Sequence, residues 1–162
     1  MSVMVMIALG LFQIQNGLAN RTTSTMETSS KTPKKLLFVC IENSNRSQMA
    51  EAFARMLGGE GVEAYSSGSK PSGKVNPKAI AAMRELNYDL SKHLSKPLSD
   101  LPPGPYDAVV TMGCGDSCPH IPAKRREDWQ IPDPKHLQPA EFNEVRDLIR
   151  SKVASLIQSL DD

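Results

Sequence analysis

Short apolar runs alternate along the chain with segments in which apolar residues recur every three or four positions. Leu36–Val39 is a continuous apolar run, which is typical of a strand buried on both faces, whereas residues 46–57 carry a helical stripe. The alternation continues to the C-terminus. The pattern predicts strands over residues 36–39, 62–66, 107–112 and 127–131, and helices over residues 46–57, 77–86 and 141–160.

This order of elements predicts the α/β class, with a small four-stranded parallel sheet flanked by helices on both faces in a three-layer αβα arrangement. In such a sheet the functional residues lie beyond the carboxyl ends of the strands. Cys40, Ser66 and Cys114 stand at or just after the ends of predicted strands. We therefore expect these three residues at one edge of the sheet.

Composition and charge limit the kinds of molecule that the protein is expected to bind. The 162 residues are 40% hydrophobic and 23% charged, with a formal net charge of +1. This near-neutral balance gives no general attraction to nucleic acid or to an anionic membrane, so a preference for anions has to be local. No apolar stretch is long enough to span a bilayer. We expect a monomer that binds neither nucleic acid nor membrane.

The first 34 residues differ from the rest. Val3–Phe12 is an apolar run without a preceding Lys or Arg, and residues 20–35 are rich in Ser, Thr and Lys, as in a flexible leader. The segment is either a weak signal segment or a start-site artefact with Met26 as the working start. We favour the second interpretation because working thiols need a reducing compartment. The functional domain is then residues 35–162 of a cytoplasmic protein.

The strongest chemical signal is Cys-Ile-Glu-Asn-Ser-Asn-Arg-Ser at residues 40–47, between the first predicted strand and helix. This position puts the Cys40 thiol beneath N–H groups of a helix N-terminus, which bind tetrahedral oxyanions and favour the thiolate. Arg46 can bind two anion oxygens at once, and Ser47 can donate to the Cys40 sulfur. A buried structural cysteine beside a surface arginine is the alternative. The predicted anion-binding residues are Ile41, Glu42, Asn43, Ser44, Asn45 and Arg46.

Three residues further along the chain are candidates for chemistry. Asp133, in Ile-Pro-Asp-Pro, either protonates a leaving oxygen or forms an Asp-Pro turn. Cys114 and Cys118 are a working dithiol, two incidental buried thiols, or half a zinc site with His120. Zinc usually takes four ligands, and the chain lacks a second ligand pair, so we predict no metal site.

Residues 39–51, Val-Cys-Ile-Glu-Asn-Ser-Asn-Arg-Ser-Gln-Met-Ala-Glu, resemble the phosphate-binding loop of the low-molecular-weight protein tyrosine phosphatases. They resemble still more that of their relatives, the thiol-dependent arsenate reductases. The resemblance continues through residues 65–68, 75–80, 109–112 and 128–134, and covers about residues 35–160. It implies the same fold and a general-acid role for Asp133.

The resemblance also separates two activities. A phosphatase needs one thiol and water, whereas a reductase needs further thiols to supply two electrons. A reductase role implies that Cys114 attacks a Cys40–arsenic adduct and that Cys118 resolves the resulting disulfide. An external reductant, such as thioredoxin or a glutathione/glutaredoxin system, then reduces Cys114–Cys118, and no tightly bound cofactor is implied. The alternatives are a phosphotyrosine phosphatase that uses Cys40, Arg46 and Asp133 alone, and a non-catalytic oxyanion-binding or redox-sensing module.

Several positions depart from the patterns of these relatives. Asn45 stands where the reductases often have a cysteine, and residues 134–137 lack the paired tyrosines that phosphatases carry after the acid. Some members hold a monovalent cation behind the loop, and Lys96 stands at the position of one acidic ligand. Its ammonium either replaces the cation or is solvated at the surface.

The remaining polar residues predict no further chemistry. The three histidines, at positions 93, 120 and 136, have no spacing that requires a catalytic role. The basic run at residues 124–126 is interpreted most simply as a solvated turn, and the alternative is that it helps a reductase partner to dock.

Overall fold

Four parallel strands form one sheet in the computed structural model, which describes residues 32–115 and 118–161. The expectations about residues 1–25 lie outside the described residues. The strand order is β2-β1-β3-β4, and the predicted α/β class with a four-stranded parallel sheet is confirmed. The elements are β1 (Lys34–Cys40), α1 (Arg46–Gly58), β2 (Val62–Gly68), α2 (Pro77–Arg84), β3 (Tyr106–Thr111), β4 (Ala123–Asp128) and α3 (Pro139–Asp161).

The strand register brings three carboxyl ends to one edge of the sheet. Cys40, the last residue of β1, lies opposite Gly68 of β2, and Val39 lies opposite Thr111 of β3. The Met112 N–H continues this pairing by donating to the Val39 carbonyl at 2.8 Å. The loops that follow β1, β2 and β3 therefore begin side by side, as the sequence pattern predicts.

Side chains of β1 alternate between two core clusters. Leu36, Phe38 and Cys40 pack into the larger cluster with residues of α1, α2 and α3. Leu37 and Val39 point to the other face, where the one-turn 3-10 helix Leu98–Asp100 packs on a smaller cluster. Full burial of a large apolar side chain contributes about 1.5–3 kcal/mol, so both faces hold the end of β1 in place.

The start of α2 follows its sequence signals closely. The Asn76 side chain accepts a hydrogen bond from the Lys78 N–H at 2.9 Å, and Pro77 occupies the first helical position. Asn at the cap satisfies one of the free N–H groups of the first turn, and Pro needs no donor there. The helix therefore begins at residue 77, as the sequence pattern predicts.

The fourth strand is a correction to the sequence prediction. It spans Ala123–Asp128 rather than residues 127–131, and it contains the basic run expected in a turn. As an edge strand it is largely exposed, so it lacks the apolar run that marks a buried strand. Its charges are paired instead, with Lys124 Nζ 2.8 Å from Asp107 Oδ1. Among the described residues, no helix is long and apolar enough to cross a membrane.

Candidate active site

The loop between β1 and α1, residues 40–47, is named the phosphate loop. Its backbone carbonyls turn outward, where the Ser69 N–H donates to the Cys40 carbonyl at 3.1 Å and the Lys70 N–H to the Ile41 carbonyl at 2.8 Å. Within residues 32–115 and 118–161, no acceptor takes up the N–H groups of residues 42–46. Residues of this loop line a small cavity together with Cys40, whose thiol is buried, and their N–H groups suit a tetrahedral oxyanion.

Asn43 sets both the shape of the loop and the direction of the Ser47 hydroxyl. Its φ of 47° is left-handed, a conformation that Asn tolerates better than most residues. Its Oδ1 accepts from Gln48 Nε2 and from the Lys96 N–H, both at 2.9 Å, so its Nδ2 donates to Ser47 Oγ at 2.8 Å. The Ser47 hydrogen is then left for Cys40 Sγ, 3.0 Å away. A hydroxyl that donates to the sulfur stabilises the thiolate.

Arg46 joins three parts of the site. Its buried guanidinium donates from Nη1 to the Ile131 carbonyl at 3.0 Å, and Nη2 lies 3.4 Å from Asp133 Oδ2. The Asp133 side chain is 52% exposed and can exchange protons with water. Gly113 packs on the guanidinium so closely that a Cβ there would lie 2.5 Å from Nη1. The structure therefore brings the predicted residues Cys40, Arg46 and Asp133 to one small cavity.

A buried carboxylate lies behind the phosphate loop. Glu51 accepts a hydrogen bond from Ser66 Oγ at 2.5 Å and pairs with Arg55 at 2.6 Å and with Lys96 Nζ at 3.6 Å. The Lys96 side chain is only 21% exposed, so it is not a solvated surface lysine. Its ammonium contacts Glu51, and its backbone N–H donates to Asn43; both residues match cation ligands of the family. This arrangement does not fit a monovalent cation, because a positive charge is already there.

His93 is connected to Asn43 of the phosphate loop through Gln48, although its position in the sequence predicts no role. Gln48 uses its Nε2 to donate to Asn43, so its Oε1 accepts from His93 Nδ1 at 2.9 Å, and His93 Nε2 accepts from the Tyr88 hydroxyl at 2.8 Å. Burial lowers the pKa of His93, and the nearby Glu51 carboxylate opposes that shift. His93 and Gln48 are 45 positions apart, so local sequence carries no signal of this contact.

The two downstream cysteines are joined to each other. Cys114 and Cys118 form a disulfide, with their Cα atoms 5.4 Å apart. Cys114 is buried with Leu37 and Val39 in the smaller core cluster, on the opposite face of β1 from Cys40. The structure thus brings this pair to the sheet edge of the phosphate loop without directing Cys114 at the Cys40 sulfur. In the described part of the chain, no group of three or more His, Cys, Asp or Glu side chains could hold a metal ion.

Two lysines attach the segment that carries the acid, residues 131–137, to the rest of the site. Lys135 Nζ lies 2.7 Å from Glu42 Oε1, and the Lys135 N–H donates to Asp133 Oδ1 at 3.1 Å. Lys78 Nζ donates to the carbonyls of Leu137, at 2.8 Å, and Lys135, at 3.4 Å. These side-chain contacts join residues 57 to 93 positions apart, so local sequence does not indicate them.

Comparison with known proteins agrees with this geometry. Residues 35–162 match the model of the family described as low molecular weight phosphotyrosine protein phosphatase. A glutaredoxin arsenate reductase from Synechocystis is 38% identical over 130 residues, which cover 78% of this chain and 98% of the relative. A solved arsenate reductase in the phosphate binding state has a TM-score of 0.70 at 38% identity and covers 78% of this chain and 98% of that one.

A thioredoxin-dependent arsenate reductase from Corynebacterium glutamicum has a TM-score of 0.66 at 30% identity, and the match covers 80% of this chain and 63% of that one. The chain belongs to the low molecular weight phosphotyrosine protein phosphatase family. The named relatives are arsenate reductases, the branch that residues 39–51 resemble.

Proposed function

We propose that this chain is an arsenate reductase whose working thiols are Cys40, Cys114 and Cys118. The proposal rests on the Cys114–Cys118 disulfide, which lies at the sheet edge that also holds the phosphate loop. A phosphatase has no use for a pair of thiols in addition to its nucleophile, whereas reduction of arsenic(V) takes two electrons from such a pair. The names of the relatives, at 30% and 38% identity, support the same activity.

In the first step the Cys40 thiolate attacks arsenic(V) held by the N–H groups of the phosphate loop. A sulfur–arsenic bond forms, and an arsenic–oxygen bond breaks as Asp133 supplies the proton with which the oxygen leaves as water. Arg46 binds two of the remaining oxygens. Ser47 keeps the sulfur in its reactive form before the attack, because its hydroxyl lies 3.0 Å away.

In the second step the Cys114 thiolate attacks the Cys40 sulfur. A Cys40–Cys114 disulfide forms, and the electron pair of the sulfur–arsenic bond stays with arsenic, which leaves as arsenite. The Cys118 thiolate then attacks the Cys114 sulfur, which frees the Cys40 thiolate and forms Cys114–Cys118. Because Cys114 packs on the opposite face of β1 from Cys40, the Cys114 sulfur has to move around the sheet edge during this cycle.

An external dithiol completes the cycle by reducing Cys114–Cys118. One relative is named for glutaredoxin and another as thioredoxin-dependent, which supports a partner of the thioredoxin or glutaredoxin type. No tightly bound cofactor takes part in these steps. Thiol exchange of this kind belongs in a reducing compartment such as the cytoplasm, and we propose that the protein works there as a monomer.

Replacement of Cys114 and Cys118 by Ser, singly and together, tests the relay. Arsenate reduction, followed as NADPH oxidation through a thioredoxin or glutaredoxin system, should fall on the order of 100-fold in each variant, because each lacks a thiol for one exchange. Hydrolysis of p-nitrophenyl phosphate should stay within about twofold of the wild type, because it requires only Cys40, Arg46 and Asp133. Cys40→Ser should abolish both activities.

The same assays separate the rival functions. Arsenate turnover that survives replacement of both Cys114 and Cys118 would exclude the relay. A phosphotyrosine phosphatase would hydrolyse the aryl phosphate and reduce no arsenate with either reductant. A wild type that turns over neither substrate, yet binds inorganic phosphate, would instead be an oxyanion-binding module.

A further inference from the structure

An ion pair lies at the rim of the anion site. Glu42 belongs to the phosphate loop and Lys135 to the segment that carries the acid, and Lys135 Nζ lies 2.7 Å from Glu42 Oε1. The Lys135 and Glu42 side chains are 43% and 37% exposed, so the pair lies at the surface. Glu42 also lines the small cavity that contains Cys40, Arg46 and Asp133. The pair, named the clasp, therefore lies at the rim of this cavity.

Backbone contacts anchor both ends of the clasp. The Glu42 carbonyl accepts from the Ser72 N–H at 3.0 Å and from Ser95 Oγ at 2.9 Å. On the other side, Lys78 Nζ lies 3.4 Å from the Lys135 carbonyl. The hydrogen bond to Glu42 raises the pKa of Lys135, so the lysine stays charged throughout the neutral range. Each partner is thus held where it meets the other.

We propose that the clasp determines specificity by favouring a free inorganic oxyanion over one esterified to an aryl group. This inference rests on the proposed reductase function. A free tetrahedral anion needs only the cradle of N–H groups, whereas the ring of an aryl phosphate has to project from the cradle through the mouth. Glu42 and Lys135 cross that exit, and the ring has to displace them in the transition state as well as in the ground state.

The segment after the acid supports this assignment. Asp133 is followed by Pro134, Lys135 and His136, with no aromatic side chain to hold a substrate ring. In place of such a wall, the second residue after the acid carries a cation that reaches back to the phosphate loop. The same position that would receive an aryl group is therefore used to close the mouth.

The test compares two activities in the full chain. Lys135→Ala, Glu42→Gln and the double variant each break the clasp, and kcat/KM is measured for arsenate reduction and for p-nitrophenyl phosphate hydrolysis. The ratio of kcat/KM for hydrolysis to kcat/KM for arsenate reduction should rise about two- to fivefold in all three variants. This range corresponds to the free energy that an exposed ion pair contributes. The ratio is the readout because a change in charge near the anion affects both substrates alike.

Two matched controls isolate the clasp. Lys135→Arg keeps a cation within reach of Glu42 and should keep the wild-type ratio. Lys92→Ala breaks another exposed ion pair, to Asp89 at 3.7 Å, and should also leave the ratio unchanged.

A ratio that stays at the wild-type value in all three clasp variants overturns the proposal, and so does a parallel fall in both activities. If the wild type reduces no arsenate, the proposed function fails separately. The clasp is then judged on p-nitrophenyl phosphate against inhibition by inorganic phosphate. A rise in hydrolysis with unchanged inhibition supports it, and no rise overturns it.

Discussion

The Ser47 hydroxyl donates a hydrogen bond to the Cys40 sulfur, and the Asn43 amide sets the direction of that hydroxyl. The amide of Asn43 is held at both ends, because its oxygen accepts from the Lys96 N–H and its nitrogen donates to Ser47. A flipped amide would present its oxygen to Ser47 and draw the hydroxyl hydrogen away from the sulfur. The orientation of a single side chain therefore decides whether the thiolate has a donor.

Ser47→Ala should lower kcat for arsenate by about 10- to 150-fold, because a hydrogen bond to a charged group contributes about 1.5–3 kcal/mol. KM should change little. In a variant that also lacks Cys114 and Cys118, alkylation of Cys40 by iodoacetamide at neutral pH should slow in parallel, since the thiolate is the species that reacts. Ser155→Ala removes a helical hydroxyl that bonds only the Ser151 carbonyl, and serves as the control. An unchanged alkylation rate in Ser47→Ala would contradict this role.

The turn after β3 contacts Arg46 of the anion site and leads directly into the cysteine pair. Gly113 has a φ of +70° and touches Arg46, and Cys114 follows it directly. In the proposed relay, a movement of Cys114 would therefore begin next to a residue that packs on the Arg46 guanidinium. The proposal thus implies that anion binding and the thiol exchange affect each other through this turn.

Gly113→Ala should raise the dissociation constant for inorganic phosphate about tenfold or more, because the new Cβ displaces Arg46 from its two-oxygen grip. Isothermal titration calorimetry measures this directly. Gly59→Ala is the matched control, since its φ of +50° imposes similar strain and no atom lies within 4 Å of the new Cβ. Both variants should lose about 1–2 kcal/mol of stability, and only the first should lose affinity. Equal affinities in the two variants would show that the contact with Arg46 is unimportant.

Elements were predictable from sequence where burial imposes a pattern. β1 and α1 follow their apolar periodicities, and the segment between them carries its chemistry in consecutive residues. The prediction for β4 was wrong because an exposed edge strand needs no apolar run. The contacts of Lys135 and His93 could not be predicted from sequence for a different reason. Each contact joins distant parts of the chain that only the fold brings together.

His93 contributes both to the stability of the domain and to the hydrogen-bond network of the anion site. The bonds from Tyr88 through His93 and Gln48 to Asn43 connect the segment after α2 to the phosphate loop. A protonated His93 would place an added charge in a mostly buried site. The network that shapes the anion site is therefore also sensitive to acid.

Wild-type protein should lose more stability than His93→Gln between about pH 7.5 and about pH 5. Because burial lowers the pKa of His93 below 6.5, the unfolded chain binds a proton that the folded chain does not as the pH falls through this range. The free energy of unfolding therefore decreases toward acid pH, and Gln removes this contribution. Equilibrium urea unfolding at both pH values measures the difference. His136→Gln, at an exposed position, should behave as the wild type, and parallel losses in wild type and His93→Gln would contradict the assignment.

The position of β4 has a consequence for how the molecules behave at high concentration. Its outer edge pairs with no strand among residues 32–115 and 118–161, and such an edge can recruit another chain and start aggregation. Residues 124–128 carry a charge at each of five successive positions. In-register stacking of a second copy would set like charges against each other and strip them of water. The charges that obscure this strand in the sequence pattern thus also disfavour a parallel, in-register extension of the sheet by a second copy.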